Sequence, residues 1–275
     1  METPRPLEKC VADCQSPHTL LQPYIDQYFY YKMQVPDGLD VQRFLPFRAV
    51  GSFNFFLGSD FEIIDPVSNR PTPFTRFIIR PPGKKMLYLI RLHGLFISFS
   101  IIFKPAGLYR LFGMPLDLPA RQSTKENAIR GFPVAQVTNK LMDAPDISTC
   151  VQIMESYLLF FAQRSSPVPQ SVEEAVLKLE QHHNAYSIEK LASESYLSLR
   201  HFERIFNRYI GLTPKKFFRL NRIVKLLDAK KNAPHSKWGS LAHEFGFYDQ
   251  MHLVKEFKYF LHQTPTSFDL SEMSL

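Results

Sequence analysis

Two groups of polar side chains near the end of the chain have the residue types that recognise nucleic-acid bases. Arginine makes paired hydrogen bonds to guanine in the major groove of DNA, glutamine makes them to adenine, and glutamate accepts one from cytosine. Spacings of three and four residues place side chains on one face of a helix. The candidate DNA-contacting residues are Arg200, Glu203, Arg204, Arg208, Lys215, Arg219, Gln250, Met251, Val254 and Lys255.

These candidates have different expected roles. The group from residue 200 to 204 is expected to contact bases in one half-site, and the group from residue 250 to 255 bases in the other. Lys215 and Arg219 are expected to contact phosphates, which position a protein on DNA but carry no sequence information. Met251 suits an apolar contact with a thymine methyl group.

An internal repeat positions both groups. Residues 191–218 (LASESYLSLRHFERIFNRYIGLTPKKFF) match residues 241–268 (LAHEFGFYDQMHLVKEFKYFLHQTPTSF). A shift of 51 superimposes Phe206 on Phe257, whereas Leu191 matches Leu241 at a shift of 50, so the copies differ by one residue in a turn. A repeat that keeps its apolar positions indicates a repeated supersecondary unit. Each copy is predicted to be a helix, a tight turn and a second helix.

Local signals define the helices of the repeat. Serine or aspartate caps the second helix of each copy, and Gly211 ends the first of these helices in a left-handed conformation. Thr213 and Pro214 begin a linker helix that is predicted to run to about Lys230. The residues expected to face inward are Phe202, Ile205, Phe206 and Tyr209 in the first copy and Leu253, Phe257 and Phe260 in the second.

Positive charge is concentrated in the repeat. Residues 198–258 hold 13 Lys and Arg against 5 Asp and Glu, whereas the rest of the chain holds 20 against 21. The formal net charge of the whole chain is +7. Clustered cations neutralise phosphates and release counterions from a nucleic acid, whereas an even spread would indicate only a solvated surface. The distribution favours a nucleic acid as the partner, and double-stranded DNA is the one we expect.

These residues closely resemble the AraC/XylS family of bacterial transcription regulators. The resemblance covers roughly residues 171–270. It implies that two recognition helices enter successive major-groove segments on one face of DNA, held apart by the linker helix. His262 departs from the family pattern, in which glycine is usual, so the last helix is expected to end differently; Met251 stands at an often polar position. The matching segments are Leu191 with Ala192, SLRHFERIF from Ser198, Gly211 with Thr213 and Pro214, Asn221 with Arg222, and GFYDQ from Gly246 through HLVKEFK to TPTSF.

The first part of the chain has a different pattern. Short β-rich runs separated by turn residues predict an antiparallel sheet or small barrel. The segment FKPAGLYRLFG, which follows, is expected to open a helix, and with the sheet before it resembles the sensory domain of one branch of the same family. The predicted elements are strands at 49–57, 74–80, 86–92 and 95–103 and helices at 134–142 and 147–163.

We therefore predict an α+β fold with two domains. Residues 1–165 form an amino-terminal β-rich, cupin-like sensing or dimerisation domain that ends in helices. Residues 171–270 form an all-α carboxy-terminal domain with two helix-turn-helix units joined by a linker helix. The segment SSPVPQ at 165–170 is the predicted linker between the domains.

Chemistry other than binding has little support in the sequence. A metal-holding cupin barrel needs clustered His and carboxylates, but His18 and His93 are the only histidines before residue 165. We expect no catalytic residues, metal or cofactor. Cys10 and Cys14 could form a redox pair or an alkyl acceptor, although ordinary thiols are favoured. Arg76, Arg80 and Arg91 are candidate ligands of an anionic effector, although strand arginines usually face solvent.

Targeting signals are also absent from the sequence. No run of 18 apolar residues indicates a membrane span, and the amino terminus lacks the features of an export signal. The number of cysteines is odd, at three, which fits a reducing cytoplasm. We therefore expect a cytoplasmic protein.

The leading hypothesis is a sequence-specific transcription regulator, with a small-molecule effector, RNA polymerase and a second copy of the chain as further candidate partners. A β-barrel enzyme with a basic helical tail and a non-specific architectural nucleic-acid binder are the alternatives.

Coiled-coil spacing relates five apolar residues before the predicted linker, namely Ile147, Val151, Met154, Leu158 and Phe161. They predict either a dimer seam or a helix that packs on its own sheet.

Overall fold

The computed structural model describes most of the chain. The described residues are 10–36, 38–39, 41–44, 48–64, 70–72, 74–83, 89–117, 129, 131–181 and 186–268. The predicted strand at 86–92 lies partly outside these residues, since residues 84–88 are not among them.

Two antiparallel sheets form the first part of the fold. Within the described ranges, one sheet has five strands in the order β1-β2-β9-β4-β7, and the other has four in the order β3-β8-β5-β6. The β-rich amino-terminal region predicted from the sequence is confirmed. The strands are β1 (Cys10–Gln15), β2 (Ile25–Gln34), β3 (Val41–Phe44), β4 (Ser52–Phe56), β5 (Glu62–Ile64), β6 (Pro71–Thr72), β7 (Phe77–Arg80), β8 (Leu89–Leu92) and β9 (Leu95–Phe103).

The pairing of β2 with β9 is the longest in the five-stranded sheet. It runs from Ile25 opposite Phe103 to Gln34 opposite Leu95. One face of this sheet packs on helices through residues such as Phe99, and the other packs on the four-stranded sheet through residues such as Phe96. Burial on both faces explains why β9 is a nearly continuous apolar run.

Three helices cover the first face of the sheet. They are α1 (Gly107–Phe112), α2 (Val134–Met142) and α3 (Ile147–Ala162), all at positions predicted from the sequence. Val151, Met154 and Leu158 are at most 2% exposed and belong to the same buried cluster as the sheet. The apolar seam of α3 therefore packs on its own sheet, and these three side chains are not available as a dimer seam.

The second part of the fold is helical. Its core contains both copies of the repeat, and buried phenylalanines 206, 217 and 257 lie within it. The linker helix begins at Pro214, as predicted. The helices are α4 (Gln170–Gln181), α5 (Ile188–Glu194), α6 (Leu199–Ile210), α7 (Pro214–Asn232), α8 (Trp238–Glu244) and α9 (Gln250–Leu261).

Both recognition helices end in the same way. Gly211 has φ 83° and its N–H donates to the carbonyl of Asn207 at 2.8 Å. His262 has φ 57° and its N–H donates to the carbonyl of Lys258 at 3.1 Å. The expectation that α9 ends differently was wrong, because histidine adopts the left-handed conformation despite the steric cost of its Cβ.

The first helix-turn-helix unit contacts the β-rich part directly. The N–H of Leu116 donates to the carbonyl of Arg208 at 2.9 Å, and the rings of Tyr109 and Tyr209 meet edge to face with centroids 4.5 Å apart. A Cβ on Gly83 would lie 2.5 Å from the side chain of Leu212, so only glycine permits this close approach. The predicted domain boundary at 165–171 stays a prediction.

Candidate nucleic-acid interface

The first helix-turn-helix unit consists of α5, a short turn and α6. Ser187 caps α5 by accepting the N–H of Lys190 at 3.0 Å, and Ser198 caps α6 by accepting the N–H of His201 at 3.4 Å. Between them the N–H of Leu197 donates to the carbonyl of Ala192 at 3.0 Å. The caps satisfy donors that each helix leaves free at its start, which fixes the angle at which α6 begins.

The second unit repeats this geometry with α8 and α9. Asp249 caps α9 by accepting the N–H of His252 at 2.6 Å. The N–H of Phe247 donates to the carbonyl of Ala242 at 2.8 Å, matching the turn bond of the first unit. These equivalent bonds place α9 against α8 in the way that α6 lies against α5.

The one-residue difference between the copies lies at Tyr248. Tyr196 and Gly246 occupy equivalent left-handed positions, with φ 55° and 69°. Leu197 is followed directly by the cap Ser198, whereas Phe247 and the cap Asp249 are separated by Tyr248. The second turn therefore contains one extra residue, immediately before its recognition helix.

The predicted base-contacting side chains lie on the solvent-facing sides of α6 and α9. Glu203 and Val254 are half-buried, and Met251 is 63% exposed although it is apolar. The sequence assigned these faces from helical spacing alone. The exposed candidates are Arg200, Arg204, Arg208, Lys215, Gln250, Met251 and Lys255.

The exposed cations of this set are not used inside the protein. Within the described part of the chain, no carboxylate lies within ion-pairing distance of Arg200, Arg204 or Arg208, nor of Lys215 or Lys255. Unpaired cations on one surface create a positive potential that attracts a polyanion. The α7 helix between the units has 19 residues and a length of roughly 28 Å at 1.5 Å per residue. With the flanking turns, this approaches the spacing of about 34 Å between successive major-groove segments.

Arg219, a predicted phosphate contact, makes an ion pair within the protein. Its Nε donates to both carboxylate oxygens of Glu256, at 2.9 and 3.2 Å, and its guanidinium lies 4.5 Å from the centroid of the Tyr259 ring. The ion pair joins α7 to α9. Arg219 is thus engaged within the protein, and Lys215 is the stronger candidate for a phosphate contact.

Arg222 also fixes the second unit to the linker helix. Its Nη1 donates to the carbonyl of Gly246 at 2.9 Å, and the guanidinium lies 4.0 Å from the ring centroid of Phe247. Burial lowers its pKa, and Glu256 partly offsets this effect. Sequence analysis identified Arg222 only as a family-matching position, and the contacts show that it supports the turn before α9.

A cavity of about 680 Å³ lies between the sheet and the helices α4 and α7. Strand residues such as Phe29 and Ile102 line one side, and Leu177 and Val224 line the other. Local sequence patterns do not predict this cavity, because its walls come from several segments that are far apart in the sequence. Its charged lining residues are Asp26, Arg48, Lys104, Glu180, Asp228 and Lys231.

Arg48 is a permanent cation in the lining of this cavity. Desolvation raises the pKa of Glu180 and of Asp228, which favours their neutral forms. Desolvation also lowers the pKa of Arg48, with Asp228 and Asp26 opposing the effect. Because a guanidinium does not lose its proton in proteins, Arg48 remains a cation suited to a carboxylate.

The candidate effector-binding arginines and reactive cysteines do not form a common site. Arg76 pairs with Asp60 at 2.9 Å and Arg91 with Glu62 at 2.7 Å, so both arginines form ion pairs within the β-rich region. Cys10 and Cys14 are exposed free thiols. Among the described residues, no group of three or more His, Cys, Asp or Glu side chains could hold a metal ion, and no helix is long and apolar enough to cross a membrane.

The geometry of residues 187–268 thus defines a pair of helix-turn-helix units. A family model described as a helix-turn-helix domain matches residues 191–270. These residues form an AraC-type helix-turn-helix domain, and the predicted resemblance to the AraC/XylS family is confirmed. A sequence search against curated proteins finds no significant match.

Crystal structures of ToxT from Vibrio cholerae, an AraC family regulator, have a similar fold. The structure from strain O395 has a TM-score of 0.50 and 10% identity, and the match covers 92% of this chain and 98% of ToxT. The same protein bound to (E)-4-(8-methylnaphthalen-1-yl)but-3-enoic acid also has a TM-score of 0.50 and 10% identity, with coverage of 90% and 98%. The likeness establishes a two-part fold of a β-rich region followed by an AraC-type helical region.

Proposed function

We propose that this protein is a sequence-specific DNA-binding transcription regulator whose helices α6 and α9 enter successive major-groove segments. The observation that carries the proposal is the pair of equivalent recognition helices, each capped at its start and each presenting unpaired polar or cationic side chains to solvent. Arg200, Glu203 and Arg204 contact bases of one half-site, and Gln250 and Lys255 contact bases of the other. Val254 and Met251 supply apolar contacts, and Arg208 and Lys215 lie nearer the phosphates.

The glutamate, glutamine and methionine on the solvent-facing sides of these helices favour base recognition over packaging. An architectural protein needs only cations toward the phosphates. Glu203 would weaken phosphate binding, and Met251 contributes nothing to it. Both side chains are useful on a helix that discriminates between base pairs.

Replacing Arg204 by alanine tests the base contact. A target duplex is first recovered by pulling down the bound genomic DNA. We expect Arg204→Ala to weaken binding to this duplex by about 1–3 kcal/mol and to relax specificity at one base position. Titrations with the target and with a random duplex measure the difference.

Lys215→Ala is the matched control for a phosphate contact. It should weaken binding to both duplexes alike and reduce the slope of log K against log salt by about 1. An equal loss on both duplexes for Arg204→Ala would refute its role as a base-contacting residue.

We further propose that a small-molecule effector with a carboxylate occupies the cavity and pairs with Arg48. The support is the position of Arg48 beside apolar lining residues such as Phe29 and Leu177, together with the ligand carried by the ToxT structure of similar fold. Because α7 lines the cavity and also joins the two units, a bound effector changes the helix that sets their spacing.

Thermal unfolding with (E)-4-(8-methylnaphthalen-1-yl)but-3-enoic acid as the probe tests this proposal. A ligand at about 100 times its Kd stabilises a protein by about 2.7 kcal/mol, so the midpoint of the parent should rise by several degrees. Arg48→Met should lose the rise, and Lys32→Met, which removes an exposed cation outside the cavity, should keep it. If the compound does not raise the thermal midpoint of the parent, or raises that of Arg48→Met equally, the effector proposal is ruled out for this compound class.

A further inference from the structure

Two tyrosine side chains project into solvent from the turns of the helix-turn-helix units. Tyr196 is 97% exposed and Tyr248 is 91% exposed, the two largest values among the exposed large apolar and aromatic side chains of the described residues. A tyrosine ring usually gains free energy by burying its apolar face while its hydroxyl finds a hydrogen-bond partner. In the described part of the chain neither ring is buried and neither hydroxyl makes a hydrogen bond, although the turns recur in both units.

The backbone of Tyr196 is also unfavourable for its residue type. Its φ is 55°, and the equivalent position of the second unit is glycine, Gly246, at 69°. The left-handed conformation costs an L-residue roughly 1–2 kcal/mol, and strained residues of this kind concentrate at functional sites. A tyrosine thus occupies a position where glycine would adopt the backbone conformation with less strain.

Both rings lie beside the start of a recognition helix. Tyr196 precedes the cap Ser198 by two residues, and Tyr248 directly precedes the cap Asp249. The N–H of Tyr248 donates to Nδ1 of His252 at 3.2 Å, which holds its backbone against the first turn of α9. Tyr248 is also the extra residue by which the second turn is longer than the first.

This location fits the border of a DNA groove. The major groove is about 12 Å wide, and a helix with its side chains is about 10–12 Å across. A helix whose first turn contacts base edges therefore brings the residues just before its cap close to a sugar–phosphate strand. Phosphate oxygens accept hydrogen bonds from tyrosine hydroxyls in many such interfaces.

We infer that Tyr196 and Tyr248 are positioning residues whose hydroxyls donate to DNA phosphates, one at each half-site. This inference rests on the proposed function, because it requires α6 and α9 to occupy the groove. Arg200, an exposed cation in the first turn of α6, favours an anionic partner there over an apolar protein surface. The tyrosines fix how deeply and in which register each recognition helix sits, and they add no base specificity.

Tyr196→Phe and Tyr248→Phe in the full chain test the hydroxyls. Each should weaken binding by about 10- to 150-fold, the range expected for one hydrogen bond to a charged acceptor. The loss should be similar on the target and on random duplex. A neutral hydroxyl releases no counterion, so the salt slope should stay at the parent value, in contrast to Lys215→Ala.

Tyr196→Gly separates this role from a structural one. Glycine accepts φ 55° without strain, so the thermal midpoint should equal or exceed that of the parent while DNA affinity falls at least as far as in Tyr196→Phe. Phe160→Ala, which removes a half-exposed ring from α3, is the control and should leave DNA affinity unchanged.

The outcomes distinguish this inference from the function on which it rests. A parent that binds no duplex overturns both. A parent that binds its target, with tyrosine variants of unchanged affinity, overturns only the role of the tyrosines, and so does a Tyr196→Gly variant whose affinity loss is matched by a loss of thermal stability.

Discussion

Phe257→Ala is expected to lower the free energy of unfolding by about 3–5 kcal/mol, the cost of truncating a buried phenylalanine. The side chain is fully buried, with its ring centroid 5.4 Å from that of Trp238 and 5.6 Å from that of Phe268. It anchors α9 to α8. A loss of this size is a large share of the stability of a small domain, so DNA binding should disappear because the second unit unfolds.

Trp238 makes the measurement specific to this unit. It is the only tryptophan of the chain and contacts Phe257 directly, so its fluorescence during urea denaturation of the full protein reports unfolding around α8 and α9. Met251→Ala is the control on the same helix: it should leave the transition within about 0.5 kcal/mol of the parent while weakening DNA binding. A Phe257→Ala transition that matches the Met251→Ala transition would contradict the inward assignment of Phe257.

Glu256→Ala is expected to cost about 3 kcal/mol for a different reason. Glu256 is 7% exposed and is the anion paired with Arg219, while Arg222 lies close by. Removing Glu256 takes this anion away from the half-buried Arg219 and from the buried Arg222, and a cation left without its partner destabilises more than the intact pair contributes. The second unit should lose its fixed position on the linker helix, so cooperative binding of the two half-sites should weaken.

The same tryptophan fluorescence follows this change. Glu244→Ala removes an exposed carboxylate from α8 and serves as the control, with an expected effect within about 0.5 kcal/mol. Glu256→Gln keeps the shape of the side chain but removes its charge. Its loss of stability should therefore lie between those of Glu256→Ala and Glu244→Ala. If Glu256→Ala and Glu244→Ala shift the transition equally, the ion pair does not hold α9 in place.

The helical region could be predicted in detail because its signals are local. Caps, apolar stripes and the left-handed glycine at 211 lie within a few residues of the structure they determine. Repetition added a second, independent copy of each signal. The length difference in the turn was also visible, although only the structure assigned it to Tyr248.

The strands were predicted less completely. The longest one, β2, has the sequence IDQYFYYKMQ, in which four aromatic side chains obscure the alternation of buried and exposed positions. Its partner β9 lies more than 60 residues away in sequence, so no local signal indicates the pairing. By contrast, β9 itself was predicted with its observed bounds from its apolar run.

Interactions between distant residues could not be predicted from local patterns. Arg219 had the spacing of a phosphate-contacting residue, and its pairing with Glu256 depends on how α7 and α9 cross, 37 residues apart. The cavity around Arg48 depends on the packing of the whole sheet against α4 and α7. Sequence spacing predicts which face of a helix a side chain occupies, but not which element lies opposite that face.

The contact between the first helix-turn-helix unit and the β-rich region also determines how the chain can be divided. Leu212 packs against the turn at Gly83, Tyr209 packs against Tyr109, and Ala106 belongs to the buried cluster of the helical region. A fragment beginning near residue 170 would leave this apolar surface in water, where such patches promote self-association. The β-rich region therefore acts as a solubilising cover for the first unit, whether or not an effector is bound.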